Sequence, residues 1–414
     1  MTAEPTSSKR PTTIFVNRFF YPDLSATSQL LADLATSLAV DRRVVVITSR
    51  LRYDDPGARL PPREMVDGVD VRRVATTGFG RAGMAGRAID LASFHIAAAL
   101  ALIGTARRGD VVVAKTDPPL LSVTAGWAAR LKGARLINWL QDVYPEVASA
   151  LEVGAARGAA GRVLTALRNA SLRRATRNVV LGERMADHLR SVGAPADTLR
   201  VIPNWTDEAA VTPVDPADNP LRRAWGLEGK FVVAYSGNLG RAHEYGAMLG
   251  AAALLAGEPG IVFLMIGDGH NTAALRHAAE RSGLRNIQFR PYQDRAGLAQ
   301  SLSVGDLHWI SLRPELEGLI LPSKVYGVLA AGRPILAVTA RDGEIARLVA
   351  EHGCGLQSDP GDAQAFAAAV RRLAADPALA RRLGLAARAA AVGVFSRGAA
   401  LGRWREALGE AAAP

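Results

Sequence analysis

The sequence predicts an α/β protein of two domains, each built on a parallel sheet with helices on its faces. Length is the first observation behind this: 414 residues suffice for two cores of ordinary size. Composition is the second, since 49% of the residues are apolar and 21% charged, which excludes a disordered chain. The third is an alternation of short β-rich runs with helix-length segments that occurs twice, on either side of a polar, proline-bearing stretch at residues 206–220.

Residues 12–17 (TTIFVN) form the first strand, residues 18–26 a loop, residues 27–39 an amphipathic helix and residues 43–48 the next strand. This strand, loop, helix, strand order opens a Rossmann-like sheet. Strands at 69–74, 110–114, 135–140, 178–181 and 199–202 continue it, with helices at 88–106 and 120–131. Residues 88–106 are the most apolar long run and are nearly long enough to span a bilayer, but Asp90 and His95 within it favour a buried domain helix. The polar residues 1–13 read as a loose arm without the features of a signal peptide. Cys354 stands alone, which excludes a disulfide framework and a thiolate metal cluster and fits a cytoplasmic protein.

In open parallel sheets ligands bind beyond the carboxyl ends of the strands. Three such loops are rich in polar or restricted residues: Tyr21-Pro22-Asp23-Leu24-Ser25, Lys115-Thr116-Asp117-Pro118-Pro119 and Gln141-Asp142-Val143-Tyr144-Pro145-Glu146. Asp117 is expected to serve as a turn residue. Asp142 follows a central apolar strand between Trp139 and Tyr144 and is a candidate catalytic or substrate-orienting carboxylate.

The net charge of +11 is uneven. Up to residue 203 there are 28 Lys+Arg against 18 Asp+Glu, and beyond it 22 against 21. Residues 153–182 hold six arginines and no acid, and on a helix Arg162, Arg173, Arg174 and Arg177 share an arc of about 120°. The Arg157–Arg177 region therefore suits an anionic membrane surface. Nucleic acid is disfavoured because no aromatic interleaving or binding motif accompanies the charge.

After the 206–220 linker the alternation restarts. Residues 231–235 form a strand, Ser236-Gly237-Asn238-Leu239-Gly240-Arg241 a glycine turn and residues 244–256 a helix. Strands at 261–266, 287–290, 307–311 and 335–338 follow, and helices at 363–374, 377–391 and 397–411 close the chain, with Arg381, Arg382 and Arg388 expected on solvated faces. The turn's small residues, free N–H groups and Arg241 suit a diphosphate. Residues 315–336 supply a second anion site: Pro322 and Ser323 open a helix, Gly332 and Pro334 close it, and Lys324 in the first turn is misplaced against the helix dipole unless an anion faces it. No metal-ligating constellation is present.

These pieces carry a resemblance. Phe20-Tyr21-Pro22, Gln141 to Glu146, Val201-Ile202-Pro203-Asn204, Tyr235 to Asn238, Gly267-Asp268-Gly269, Leu321 to Lys324 and Ala330 to Pro334 together resemble retaining glycosyltransferases of family 4, in particular the bacterial exopolysaccharide and O-antigen transferases of the colanic-acid type. The resemblance runs from residue 12 nearly to the end. It implies the GT-B fold, two Rossmann-like domains facing across a cleft. Residues 1–203 with a returning helix at 397–414 would bind the acceptor, and residues 204–396 a nucleotide-diphosphate sugar. It implies reaction with retention and no metal or other cofactor, in a cytoplasmic protein peripheral to the inner face of the membrane, on a saccharide or polyprenyl-diphosphate-linked saccharide.

By the same resemblance, Ser236, Gly237, Asn238, Tyr292, Glu317, Ser323 and Lys324 would bind the donor, and Tyr21, Pro22, Asp23 and Ser25 the acceptor. Asp142 and Lys324 would be catalytic, and Arg241 would be the catalytic substitute for the cations that relatives carry after the glycine turn. The sequence also departs from the family: Asn238 and His243 stand where many relatives have Arg and Lys, Gln141 replaces a common histidine, and the usual ribose glutamate falls on Gly327, leaving Glu344 as the nearest substitute. The alternatives are a nucleotide-sugar 2-epimerase and a non-catalytic partner subunit of the same fold.

Overall fold

The structure, a computed structural model, describes residues 11–23, 25–52, 55, 57–80, 83–152 and 158–412. The chain forms two compact units. Met1–Leu181, Met185–Ile202 and Leu401–Pro414 make the first, and Gly182–Arg184 with Pro203–Ala400 the second.

The first unit runs β1 (Thr13–Val16), α1 (Ala26–Ala39), β2 (Val44–Ser49), β3 (Arg63–Val66), β4 (Val69–Val74), α2 (Met84–Thr105), β5 (Val111–Lys115), α3 (Leu121–Leu131) and β6 (Arg135–Trp139). It continues with α4 (Glu146–Ala150), α5 (Gly158–Arg174), β7 (Arg177–Val180), α6 (Glu183–Ser191) and β8 (Leu199–Val201). The sheet order is β3-β4-β2-β1-β5-β6-β7-β8. Every pairing is parallel except β3 with β4, and β3 is a strand that the sequence reading did not anticipate. Its exposed, alternating residues Arg63 to Val66 lack the apolar run that marks a buried strand. On one face Ile14, Val16, Val45, Ile47, Val112 and Ala114 are covered by Phe94, Ala98 and Leu102 of α2 and by Leu121, Ala125 and Ala128 of α3. Each of the buried Val, Ile, Leu and Phe side chains contributes about 1.5–3 kcal/mol relative to exposure.

The second unit runs α7 (Pro220–Ala224), β9 (Phe231–Ser236), α8 (Gly246–Leu254), β10 (Ile261–Ile266), α9 (Thr272–Arg281), β11 (Ile287–Arg290), α10 (Leu298–Ser303), β12 (Leu307–Ser311) and α11 (Lys324–Ala330). β13 (Ile335–Val338), α12 (Glu344–His352), β14 (Gly355–Ser358), α13 (Ala363–Ala375), α14 (Pro377–Gly393) and α15 (Arg397–Ala412) complete it. The sheet is fully parallel in the order β11-β10-β9-β12-β13-β14. The last part of α15 belongs to the first unit: Trp404 packs edge-on to Trp139 at 4.6 Å, and Arg135 Nη1 donates to Ala411 O at 2.6 Å.

Three expectations change. The helix at 88–106 is buried on one side only: Asp90, Phe94, Ala98 and Leu102 face inward, while Ile89, Ile96 and Leu100 are exposed. Arg177 is not on the arginine helix, because α5 ends at Arg174 and Arg177 starts β7; Arg168 turns inward to Glu146, and Arg157 lies outside the described residues. Arg388 is half-buried, its guanidinium donating to the carbonyls of Val211, Ala330 and Glu208, so it ties α14 to the loops beneath it and is no solvated charge.

Candidate active site

Both sheets reverse their strand order beside the first strand of the unit, at β1/β5 and at β9/β12. Such a switch point splays the loops at the carboxyl ends and leaves a crevice. The expected site residues gather at these two places.

In the second unit β9 runs into Gly237, whose φ of +128° few side chains tolerate. Gly237 N donates to Ile266 O at 2.8 Å and Leu239 N to Asp268 O at 2.9 Å, which fastens the turn to the loop after β10. Tyr235 Oη donates to Asn238 O at 2.9 Å beneath it. The side chain of Lys324 crosses this turn. A Cβ at Gly237 would lie 2.6 Å from Lys324 Cε, so the glycine is what allows the lysine its approach.

Lys324 Nζ stands 5.4 Å above the Tyr235 ring and 3.2 Å from His243 Nε2. His243 Nδ1 lies 2.7 Å from Ser311 O, which can only accept. The ring is therefore protonated at Nδ1 and offers Nε2 as an acceptor to the ammonium. Burial, with the charge of Lys324, holds the His243 pKa down at about 4, and burial brings Lys324 from 10.5 to about 8.

Glu317 follows a short turn after β12. Its Oε2 accepts from Glu344 N at 3.3 Å, and its Oε1 is buried with no hydrogen-bond partner. A Cβ at Gly343 would come within 2.3 Å of that oxygen. Burial raises Glu317 from 4.5 to about 7 against the hydrogen bond from Glu344. Tyr292 is exposed, its Oη 3.4 Å from Asp268 O; Ser236 is half-buried, and Asn238 and Ser323 are exposed.

An expected catalytic residue, Arg241, and an expected donor residue, Glu344, stand differently. Arg241 is exposed and makes no hydrogen bond or ion pair among the described residues, and Lys324 meets His243 and Tyr235 instead. The Glu344 carboxylate accepts from the backbone N–H groups of Glu183 and Arg184 at 3.2 and 2.8 Å, so both its oxygens are already engaged.

In the first unit the ends of β1, β5 and β6 bring acids together. Asp23 is buried and accepts from Ser25 N at 2.8 Å; Tyr21 is exposed and Pro22 half-buried. Arg18 N donates to Asp117 O at 2.8 Å, and Gln141 N to Thr116 Oγ1 at 3.2 Å, joining the three loops. Each loop holds a cis X-Pro bond, at Tyr21-Pro22, Asp117-Pro118 and Tyr144-Pro145. Lys115 is buried, its Nζ donating to Thr27 O at 2.7 Å and lying 3.8 Å from the centre of the Trp139 ring. Burial pushes the Lys115 pKa well below its usual value, and the charges of Asp117 and Asp142 oppose that shift.

Burial also raises Asp142 to about 6, with Asp117 adding to it, and raises Asp117 to about 6, with Asp23 adding. Asp117 is thus one of a group of interacting carboxylates and more than a turn residue. The reading of the sequence missed Lys115 in this role, although a lysine ending the apolar run VVVAK was a legible signal. It likewise left His243 as a mere departure.

Fold and site together define a GT-B glycosyltransferase, and residues 26–205 match the family described as glycosyl transferase 4-like domain while residues 230–376 match glycosyl transferases group 1. The chain belongs to these glycosyltransferases. It is 33% identical to the probable glycosyltransferase WbjE of Pseudomonas aeruginosa over 64% of this chain and 66% of that one, just under two thirds of that relative's length. It is 28% identical to the putative colanic acid biosynthesis glycosyl transferase WcaI of Escherichia coli K12, over 69% of this chain and 72% of that one. Among solved structures, Anabaena HepE in complex with UDP-glucose matches its fold with a TM-score of 0.71 at 19% identity, over 96% of this chain and 99% of that one.

Proposed function

We propose that this protein transfers a sugar from a nucleotide-diphosphate sugar, bound by the second unit, to a saccharide or polyprenyl-diphosphate-linked saccharide bound by the first, with retention and without a metal ion. The observation that carries this is the contact of Lys324 with the Gly237 turn: a cation whose pKa burial brings to about 8 lies against a glycine turn at a strand's carboxyl end. HepE, which shares the fold, has been crystallised with UDP-glucose.

In this reading the diphosphate lies against Ser236, Gly237 and Asn238, with Ser323, Tyr292 and the exposed Arg241 around it. Lys324 carries the charge that grows on the diphosphate as the glycosidic bond breaks. The unpartnered Oε1 of Glu317 accepts from a donor-sugar hydroxyl. Tyr21, Pro22, Asp23 and Ser25 contact the acceptor, and Asp142 orients its hydroxyl. The bond from the anomeric carbon to phosphate oxygen breaks, the bond to the acceptor oxygen forms on the same face, and the acceptor's proton passes to the departing diphosphate. The protein then need only position and stabilise. Glu344, engaged by backbone, is a weaker ribose ligand in this scheme.

The exposed Arg162, Arg173 and Arg174 of α5 support a peripheral contact with the anionic inner face of the cytoplasmic membrane, where a polyprenyl-linked acceptor would reside.

The test is incubation with nucleotide sugars, with and without lipid-linked saccharides, in the presence of a chelator, with the product anomer read by NMR. Transfer that keeps the donor's anomeric configuration is expected. An epimerised nucleotide sugar formed without acceptor would replace this reading with the epimerase. Near-normal transfer by Lys324→Ala at saturating donor would remove the lysine from it.

A further inference from the structure

The outer surfaces of α2, α3 and α5 lie side by side over one face of the first unit's sheet, since α2 and α3 cover the same inward side chains and α5 packs on α3. A helix on the outside of a soluble domain normally turns charge to water. The outer stripe of α2 does not. Ile89, Ala92, Ile96 and Leu100 recur at spacings of three, four and seven residues and point away from the sheet, with Ile96 63% and Leu100 65% exposed. Its acid, Asp90, is turned inward and holds Thr77 Oγ1 at 2.7 Å and Phe79 N at 3.0 Å. His95 is taken by Thr124 and by Pro119 O at 2.9 and 3.1 Å. Beside this stripe α3 exposes Trp127 (61%) and Leu131, and α5 exposes Val163 and Leu167.

Around the apolar centre stand Arg87, Arg130, Arg162, Arg173 and Arg174, all exposed. Neither α3 nor α5 contains any Asp or Glu. We infer that this face, with Ile96, Leu100 and Trp127 at its centre, inserts into the headgroup region of an anionic lipid surface and orients the first unit on it. The inference deepens the peripheral contact proposed above, and moves its centre from the arginines of α5 to the apolar stripe of α2.

Chemistry selects the occupant. An apolar face rimmed by cations and free of acids matches acyl chains beneath anionic headgroups. A second copy of the chain docking by the same patch would set arginine against arginine. Nucleic acid would leave the isoleucine, leucine and tryptophan unburied. The helix is long and apolar enough to cross a bilayer by length and composition, but Phe94, Ala98 and Leu102 are committed to the sheet, so it lies along the surface.

The test uses the full chain with vesicles of phosphatidylcholine alone and of phosphatidylcholine mixed with phosphatidylglycerol. Trp127 is the exposed one of six tryptophans, so brominated lipid reports its depth. The wild type should float with the anionic vesicles, with Trp127 quenched. The double variant Ile96→Asp/Leu100→Asp should lose about tenfold or more in vesicle affinity while keeping its circular dichroism and its transfer to a soluble acceptor. If that variant binds as the wild type does and Arg162→Gln/Arg173→Gln/Arg174→Gln does not, the insertion is overturned and a purely charged contact stands. If the wild type binds no vesicle, insertion and peripheral contact both fall, and the transfer assay judges the transferase reading separately. A concentration-dependent dimer that the aspartate variant abolishes, without vesicle binding, would assign the face to self-association and overturn the inference.

Discussion

Lys324 Nζ and His243 Nε2 are 3.2 Å apart, and the bond from His243 Nδ1 to Ser311 O fixes the imidazole as the acceptor of the pair. A neutral histidine therefore holds the cation against the Gly237 turn. Replacing His243 by Ala leaves Ser311 O and the ammonium without this partner, a loss of about 1–3 kcal/mol. Weaker donor binding by roughly tenfold, together with a lower kcat, is expected because the side chain acts through Lys324, which meets the diphosphate before and during bond breaking. His243→Gln, which can accept from the ammonium but not donate to Ser311 O at the same time, should recover part of it. Equal donor affinity in all three proteins, measured by calorimetry, would show that His243 does not position Lys324.

Lys324 should give activity and stability opposite dependences on pH. Burial lowers its pKa from 10.5 to about 8, so the folded protein loses this proton before the unfolded chain does. Between those values the unfolded state binds more protons, and stability rises with pH through about 8 to 10.5. Affinity for a diphosphate needs the ammonium and falls over the same range. A thermal melt of the free protein should therefore climb from pH 8 as donor affinity drops, and Lys324→Met should flatten both curves. A melt that keeps its slope in the variant would assign the stability change to another group.

How far the sequence carries this site can be followed residue by residue. Local signals single out Lys324 and Gly237, because a glycine turn and a helix start each leave a short pattern, whereas Glu317 enters through the family resemblance. The strands at 261–266, 307–311 and 335–338 were readable to the residue, since buried parallel strands are largely apolar runs, and the half-buried edge strand 287–290 was read to the residue as well. His243, Lys115 and Asp117 were not legible as partners. Their roles come from loops brought together by strand order, and order is set by crossovers that no local pattern records. The two-sided character of α2 was missed for another reason: Ile96 and Leu100 raise apolar content as a buried face would, and only the packing shows that they point outward.

Gly237 and Gly343 should separate diphosphate binding from sugar recognition. Gly237→Ala places a Cβ 2.6 Å from Lys324 Cε on a backbone with φ +128°, so the lysine must move and the turn is strained by about 1–3 kcal/mol. Affinity for the nucleoside diphosphate itself should fall. Gly343→Ala places a Cβ 2.3 Å from Glu317 Oε1, far from Lys324 in the chain, and displaces the carboxylate. Affinity for the sugar donor should fall while that for the free diphosphate stays unchanged. Product-inhibition constants measured beside donor KM distinguish the two, and parallel losses in both variants would contradict separate roles for Lys324 and Glu317.

Asp117 and Asp142 should act as a coupled pair in the first unit. Burial raises both from 3.8 to about 6, with Asp117 adding to Asp142, Asp23 adding to Asp117 and Lys115 opposing both, so the folded protein holds their protons where the unfolded chain has released them. Stability then falls as pH rises from 3.8 to about 6, the reverse of the usual salt-bridged carboxylate. Asp117→Asn removes a charge that raises Asp142 and should bring the Asp142 pKa down, shifting any acid limb of acceptor-dependent turnover to lower pH. The same change withdraws a charge that opposes the deprotonation of Lys115, whose neighbours are then Asp142 and the Trp139 ring. Asp142→Asn should lower transfer to the acceptor by about a hundredfold, the scale of a misplaced reacting group, and leave donor affinity intact. An acid limb that stays in place in Asp117→Asn, or a donor affinity that falls with Asp142→Asn, would show that the two carboxylates do not work together on the acceptor.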